Sequence, residues 1–399
     1  MSNSGFLPYG RQSISDDDIS AVERVLRSDF LTGGPEVGAF EQKFSAAVSA
    51  ANAVVCGNGT QALHLAALAL NIGPGDAVVV PSVTFLATAN AVHYVGGEVC
   101  FADVDPHTGL LTPQTLRDAL SAWRGAPIKA VFSVHLGGQV ADPAGIRAVA
   151  DEAGLAVIED ACHALGTIYG NDFSVGACAH SDLAVFSLHP VKTIAMGEGG
   201  VITTKNATIA ERLRRLRNHG MTRDATAFQD HDAAFDGENP NPWYYEMQEL
   251  GYNYRATDIQ CALGLSQLSR LDKFIARRQQ LAARYDQLLP KLSPIVLPPQ
   301  RVANCTPALH LYSARIDFEA AGQSRRSVMA GLSRAGIGTQ VHYIPVHRQP
   351  YYQRFLPGPL PGADAYYRKT LSLPLFPDMR DDDPDRVVQV LASVLHFPS

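Results

Sequence analysis

Long apolar runs are missing from this chain of 399 residues. None approaches the roughly 20 residues that a membrane-crossing helix needs. Closely spaced cysteines are missing too. Cys56, Cys100, Cys162, Cys178, Cys261 and Cys305 are scattered, which argues against a disulfide frame or a thiol-based metal site and suits buried thiols in a reducing compartment. No metal is expected. There is no basic run and the net charge is −6, so no nucleic-acid footprint is expected. Internal repeats and low-complexity segments are absent. The polar start Met1-Ser2-Asn3-Ser4-Gly5 has no signal-peptide apolar core. The expectation is a cytoplasmic globular protein of two or three domains with ample core.

What is present begins with a regular alternation. Ser15 followed by three aspartates reads as a helix start, and the helix should run to about Arg27. Pro35 is placed to open the next helix, after the turn Leu31-Thr32-Gly33-Gly34. From residue 53 onward, short apolar strands (54–56, 78–80, 98–102, 131–134, 155–158) alternate with helical segments. Among the helices are 61–70, apolar nearly all round and therefore buried, and 84–94. This βα alternation predicts a mostly parallel central sheet sandwiched by helices, with ligands bound beyond the carboxyl ends of the strands. After Gly200 the alternation stops. Residues 221–242 are polar and rich in Gly, Pro and Asn, long for a plain connector. Thr257 caps a helix to Leu268, and a second helical pattern from Leu271 to Leu289 bridges to a smaller C-terminal α+β domain. The domain division expected is 1–268 and 269–399.

Four features fall at strand ends. Gly57-Asn58-Gly59-Thr60-Gln61 is a strand–turn–helix junction whose free amides and threonine hydroxyl suit a phosphate, although many such turns are only turns. Glu159-Asp160-Ala161-Cys162-His163 ends the most hydrophobic strand. Asp160 could hold a proton on a heterocyclic nitrogen or could merely cap a helix, and His163 could touch a ring oxygen or be a satisfied polar residue. Phe85 could stack on a flat ligand or belong to the core. The stretch Ser187-Leu188-His189-Pro190-Val191-Lys192 follows the apolar run 183–186 and leads into Gly197-Glu198-Gly199-Gly200. Its lysine is either a solvated loop charge or an amine that forms a Schiff base. Together, an anion cradle, an aromatic platform, a strand-end aspartate and a loop lysine are the parts a pyridoxal 5'-phosphate site needs.

With these motifs, and with Asn218-His219-Gly220, Gly251-Tyr252-Asn253-Tyr254-Arg255, His310-Leu311-Tyr312 and Val341-His342-Tyr343, the chain resembles the DegT/DnrJ/EryC1/StrS family of sugar aminotransferases over nearly its whole length. The resemblance implies the fold of type I pyridoxal-phosphate transferases. It implies Lys192 as the Schiff-base lysine and Asp160 as partner of the ring nitrogen. His163 would lie near the ring hydroxyl and Phe85 against the ring. Gly59, Thr60, Gln61 and Ser187 would hold the phosphate. Asn253 would reach the cofactor phosphate of a neighbouring subunit, which implies a homodimer with shared active sites. Substrate contacts are expected at Thr32, Gly33, His189, Arg255 and His342; for His189 a packing role is the alternative.

Within the family, the segment 241–255 with Asn218-His219-Gly220-Met221 looks most like the pseudaminic-acid branch. That likeness implies transfer of an amino group from L-glutamate to C4 of a UDP-linked 4-keto-6-deoxy-N-acetyl hexosamine, with a GDP- or dTDP-linked keto sugar, aminated at C4 or C3, as the alternative. Leu188 stands where relatives often carry Phe, a mild departure. Three other classes fit the sequence less well. A sugar 3-dehydratase would carry histidine in place of Lys192. A non-catalytic regulator would be expected to lose Asp160 or Lys192. A cysteine desulfurase would need a cysteine in a mobile catalytic loop.

Overall fold

The computed structural model describes residues 5–140, 142–170, 172–355 and 358–397; the polar start Met1–Ser4 lies outside them. A seven-stranded sheet forms the centre: β1 (Asn52–Cys56), β2 (Ala77–Pro81), β3 (Glu98–Ala102), β4 (Ile128–Val134), β5 (Ala156–Asp160), β6 (Leu183–Ser187) and β7 (Gly200–Thr204). The spatial order is β1-β7-β6-β5-β4-β2-β3. β7 runs antiparallel to both neighbours, and the other strands are parallel to one another. The reversal follows from chain length. Only the loop after Ser187 separates β6 from β7, with no helix to make a crossover, so the chain must turn back.

Seven helices lie about this sheet, α2 (Pro35–Ala47), α3 (Gly59–Ala69), α4 (Leu86–Tyr94), α5 (Pro113–Ala122), α6 (Pro143–Glu152), α7 (Ala207–Leu216) and α8 (Asp258–Leu268), and α1 (Asp16–Leu26) packs outside them on α8. The strands sort their side chains with a period of two. Val54, Val78, Val80, Phe132, Ile158 and Val185 share one core with α3, α4 and α7. Val55 and Phe186, with Val79, Val131 and Val157, point the other way, into cores closed by α2 and α8 or by α5 and α6. Both faces are therefore dry, which is why the strands read as unbroken apolar runs and not as alternating ones.

The chain then enters α9 (Leu271–Leu288), whose first turn (Leu271, Phe274) packs in the large core and whose later turns (Leu281, Tyr285, Leu288) pack in a second. That second core joins a three-stranded antiparallel sheet, β8 (Val296–Leu297), β9 (Tyr312–Ile316) and β10 (Thr370–Leu373), to α10 (Arg325–Arg334) and α12 (Asp383–Val394), with α11 (Pro361–Lys369) leading into β10. Leu7 also packs there, so the N-terminal segment crosses to the C-terminal sheet before α1 begins. No described helix is long and apolar enough to cross a membrane.

Several boundaries differ from expectation for local reasons. α4 begins at Leu86 and not at Thr84, because Phe85 is extended (φ −71°, ψ 152°) and the Thr84 hydroxyl bonds that of Thr88 at 2.7 Å. The 221–242 segment carries short pairings and two helical turns, Ala225–Ala227 and His231–Ala234. It is gathered by the Glu246 carboxylate, which accepts the amides of Gln229 and Asp230 and the Tyr244 hydroxyl. α11 and β10 were not foreseen. β10 is four residues, all buried, and so shows no alternation.

One cap joins distant segments. Buried Asp258, in the first turn of α8, accepts the amides of Gly34 (2.8 Å) and Glu36 (3.0 Å) at the start of α2. Replacing Asp258 with Ala strands both amides and removes a carboxylate from a helix N-terminus, an expected loss of about 2–4 kcal/mol. Denaturant unfolding followed by circular dichroism should show the midpoint fall. An unchanged midpoint would show that this cap contributes nothing.

Candidate active site

The carboxyl ends of β1, β5 and β6 open onto one cavity of about 600 Å³. Nine of the residues singled out from the sequence line it. Gly59, Thr60, Phe85 and Asp160 stand on one part of the wall, and His163, Ser187, His189, Lys192 and His342 on the rest.

The cradle starts with Asn58, the N-cap of α3, whose side chain takes the Gln61 amide at 2.9 Å. The first-turn amides of Gly59 and Thr60, which no helical carbonyl can reach, remain at the cavity wall beside Ser187. A Cβ on Gly59 would stand 2.8 Å from the Ser187 Cβ, so the approach of helix to strand end requires glycine. Exposed amides at a helix N-terminus together with a hydroxyl fit a phosphate. Gln61 is not on the cavity wall. Its side-chain oxygen is buried without a partner, and it crowds Gly57.

Asp160 is buried at the end of β5. One carboxylate oxygen accepts the Thr88 hydroxyl at 2.7 Å and the other accepts the Cys162 amide at 3.2 Å. Since Thr88 gives its only proton to Asp160, the Thr84 hydroxyl must donate to Thr88. A carboxylate held this way, with unused lone pairs toward the cavity, fits a protonated ring nitrogen. Phe85 is 55 % exposed, consistent with a platform for a flat ligand and not with a core residue.

Lys192 lies in a loop closed on itself by Leu188 N–H to Gly199 O (2.8 Å) and Met196 N–H to Leu188 O (2.9 Å). Burial pushes its ammonium below the ordinary value, and the neighbouring Cys162 and Asp160 partly oppose this. Behind the loop sits Arg278, fully buried with carbonyl partners only. It donates to Leu375 O (2.8 Å) and His310 O (3.2 Å) and reaches the Lys192 carbonyl at 3.4 Å. Burial lowers it to about 10. This arginine ties the lysine loop to the C-terminal part of the chain.

That part supplies His310, His342 and Tyr343 to the wall, and the N-terminal segment supplies Tyr9. Burial first, and then the Lys192 charge, hold His163 and His310 well below the ordinary imidazole value and His342 at about 3. His342 Nδ1 pairs with the Ser372 hydroxyl at 2.8 Å. Thr88, Tyr9 and Tyr343 had no role in the sequence reading. Thr88 sits in the first turn of α4 and Tyr9 in the N-terminal segment, both outside any strand-end motif; Tyr343 stands in the motif Val341-His342-Tyr343, of which only His342 is expected at the site.

Thr32, Gly33, Asn253 and Arg255 are not brought to this cavity. Thr32 bridges Thr257, and Asn253 bridges Asn218, whose side chain accepts Arg255 Nη1 at 2.5 Å. Thr32, Gly33 and Asn253 are exposed. Among the described residues no three His, Cys, Asp or Glu side chains gather as metal ligands.

Comparison with known proteins gives a consistent picture. The model of the DegT/DnrJ/EryC1/StrS aminotransferase family matches residues 12–392. The spore coat polysaccharide biosynthesis protein SpsC of Bacillus subtilis (strain 168) is 39% identical over 395 residues, 98% of this chain and 97% of that protein. Helicobacter pylori PseC, an aminotransferase involved in the biosynthesis of pseudoaminic acid, superposes with a TM-score of 0.87 at 25% identity, over 98% of this chain and 99% of that one. The sugar aminotransferase Spr1654 of Streptococcus pneumoniae, described as putative in its name and solved in its PLP form, gives a TM-score of 0.85 at 25% identity over 98% and 99%.

The buried imidazoles set a pH dependence. The folded protein holds His342 near 3, whereas an unfolded histidine titrates near 6.5. Between these values the unfolded chain binds more protons, so stability is lost as pH falls from about 6.5 toward 3. His163 and His310 act in the same direction. The thermal midpoint of the cofactor-free protein should drop between pH 7 and pH 5, and His342→Gln should drop less, by about 1–2 kcal/mol at pH 5. Parallel pH curves for the two proteins would contradict this assignment.

Proposed function

The chain belongs to the DegT/DnrJ/EryC1/StrS aminotransferase family, and from that membership we propose that it transfers the amino group of L-glutamate to C4 of a UDP-linked 4-keto-6-deoxy-N-acetyl hexosamine. It is a pyridoxal-phosphate-dependent sugar aminotransferase of glycan biosynthesis. The observation that carries the reading is the convergence of Lys192, Asp160 and the 59–60/187 cradle on one cavity. The choice of sugar is supported by the overall likeness to PseC and by the polysaccharide role in the name of SpsC.

When bound, pyridoxal phosphate supplies a carbonyl for amines and an electron sink. The geometry supports the following roles for the chain's own residues. Gly59 and Thr60 amides with Ser187 bind the phosphate. Asp160, oriented by Thr88 and the Cys162 amide, keeps the ring nitrogen protonated. Phe85 offers its exposed ring to the face of the cofactor. Lys192 Nζ, enclosed and depressed in basicity, takes the proton from the α-carbon of glutamate in one half-reaction and delivers a proton to the sugar C4 in the other. Over the whole reaction one water supplies the oxygen with which glutamate leaves as 2-oxoglutarate, and the sugar's keto oxygen departs as another water, so the two balance. The neutral imidazoles of His310 and His342 add polar contacts without adding charge near the amine.

The exposure of Thr32, Gly33 and Asn253, away from their own cavity, supports a homodimer in which these residues and Arg255 serve the partner's site. Exposed Phe30, Leu31, Trp243 and Leu250 nearby in sequence fit a covered surface.

Borohydride reduction of the protein loaded with pyridoxal phosphate should fix the cofactor to Lys192 and to no other lysine, as read by peptide mass spectrometry. Lys192→Ala should lower turnover by at least about 10²–10⁴-fold; near-normal turnover would exclude its proton-transfer role. In a panel of UDP-, GDP- and dTDP-linked 4-keto-6-deoxy sugars, activity should be confined to or strongest with the UDP compound. Activity on a GDP or dTDP sugar alone would remove the substrate assignment and leave the enzyme class standing.

A further inference from the structure

The turn Leu136–Gly138, just beyond β4, has no place in the mechanism above. Both glycines lie in the left-handed region, Gly137 at φ +66° and Gly138 at φ +87°. The His163 carbonyl comes within 2.8 Å of where a Gly138 Cβ would stand, so the approach requires glycine. The Thr167 hydroxyl donates to Gly138 O at 2.8 Å and holds the turn in place. The amide N–H of Gly137 then donates to Nδ1 of His163 at 3.2 Å.

That one bond decides where the imidazole proton sits. A ring nitrogen that accepts from an amide carries a lone pair. A neutral His163 must therefore carry its proton on Nε2. Nε2 lies 3.0 Å from the Tyr343 hydroxyl oxygen. Nε2–H donates and the phenol oxygen accepts. The reverse arrangement, with Tyr343 donating to Nε2, would put a proton on Nδ1 against the Gly137 N–H. Two donors would then face each other in a buried place, at the cost of an unmade hydrogen bond on each. The phenol's own proton is consequently free. No other protein acceptor takes it among the described residues, and Tyr343 lines the cavity.

We propose that the 136–138 turn locks His163 as the Nε2–H tautomer and thereby makes the Tyr343 hydroxyl a hydrogen-bond donor to an acceptor oxygen of the bound ligand. The proposal deepens the function above and rests on it only for which molecule carries that oxygen: the ring oxygen of the cofactor or an oxygen of the sugar. Two further observations agree. Burial first, and then the Asp160 charge, hold the phenol well above its ordinary value, so it stays a donor through the working pH range. The ring of Phe85 lies 5.9 Å from that of Tyr343, which places the hydroxyl-bearing ring beside the platform residue. Tyr343 is thus assigned a ligand-binding role, and His163 a positioning role acting through it.

The test combines one direct and one functional measurement. Nitrogen-15 NMR of histidine-labelled protein with pyridoxal phosphate bound, with His163 assigned by the signal lost in His163→Gln, should show a neutral ring protonated at Nε2 at pH 7. A ring protonated at Nδ1, or at both nitrogens, overturns the proposal. Tyr343→Phe should weaken one ligand by about 10-fold, the worth of one good hydrogen bond to a polarised oxygen. A raised dissociation constant for the cofactor, measured without sugar, assigns the acceptor to the cofactor. A raised KM for the keto sugar with unchanged cofactor binding assigns it to the sugar. If neither changes, the proposal fails. His163→Gln keeps an N–H near the Nε2 position and should stay within about 3-fold of the parent, while His163→Leu should behave as Tyr343→Phe does. Equal losses in the two His163 variants would mean that only shape matters there and would overturn the proposal. The NMR result is read without turnover, so an Nε2–H ring in a protein inactive on every keto sugar would count against the proposed function alone.

Discussion

An amine and a carboxylate share the rim of one cavity at the ends of parallel strands, and the surrounding structure is arranged so that both can stay there. Removing either charge from water is costly unless it is paired or hydrogen-bonded. Asp160 meets this with the Thr84–Thr88 hydroxyl relay and the Cys162 amide. Lys192 meets it partly by proximity to Asp160 and partly by giving up basicity. The second response is the useful one, because an amine that loses its proton more easily is a nucleophile and a proton carrier.

The wall of the cavity takes segments from both ends of the chain. The N-terminal strand-like segment bonds to the C-terminal sheet at Leu7 and Ile337 and brings Tyr9 to the cavity. The C-terminal part brings His310, His342 and Tyr343. Arg278 joins the two halves through carbonyls of His310, Leu375 and Lys192. It is a cation that needs no carboxylate because several oriented dipoles face it. The cavity is thereby polar but nearly free of uncompensated charge. The buried imidazoles of His163, His310 and His342 are held neutral and add no charge beside the lysine amine.

The large sheet and its helices were readable because their signals are local. Apolar runs of strand length, caps such as Ser15 and Thr257, and a first-turn proline such as Pro35 depend on a few adjacent residues. The strand-end residues Asp160, Ser187 and Lys192 could be placed on a common rim because parallel strands share a carboxyl end. Other features resisted for equally physical reasons. Thr88 looks like an ordinary residue inside an apolar helix until α4 is docked beside β5. β10 is too short and too fully buried to show a period. Gln61 sits one residue past the part of the α3 cradle that faces the cavity, a rotation that spacing alone does not settle.

The amino-acid sequence by itself determined the αβ order, the parallel sheet and the kinds of side chain at the strand ends. These follow from periodicity, capping and the residue types that turns require. Tertiary structure alone decided which distant residues complete the site. The Tyr343 hydroxyl meets His163, and His163 meets the Gly137 amide, across gaps of many residues that no pattern links. It also decided that Thr32, Gly33 and Asn253 face outward from the chain that carries them. Hydrogen bonds are directional and short, so partners are settled only once the backbone has brought them within about 3 Å, and that placement belongs to the packed fold.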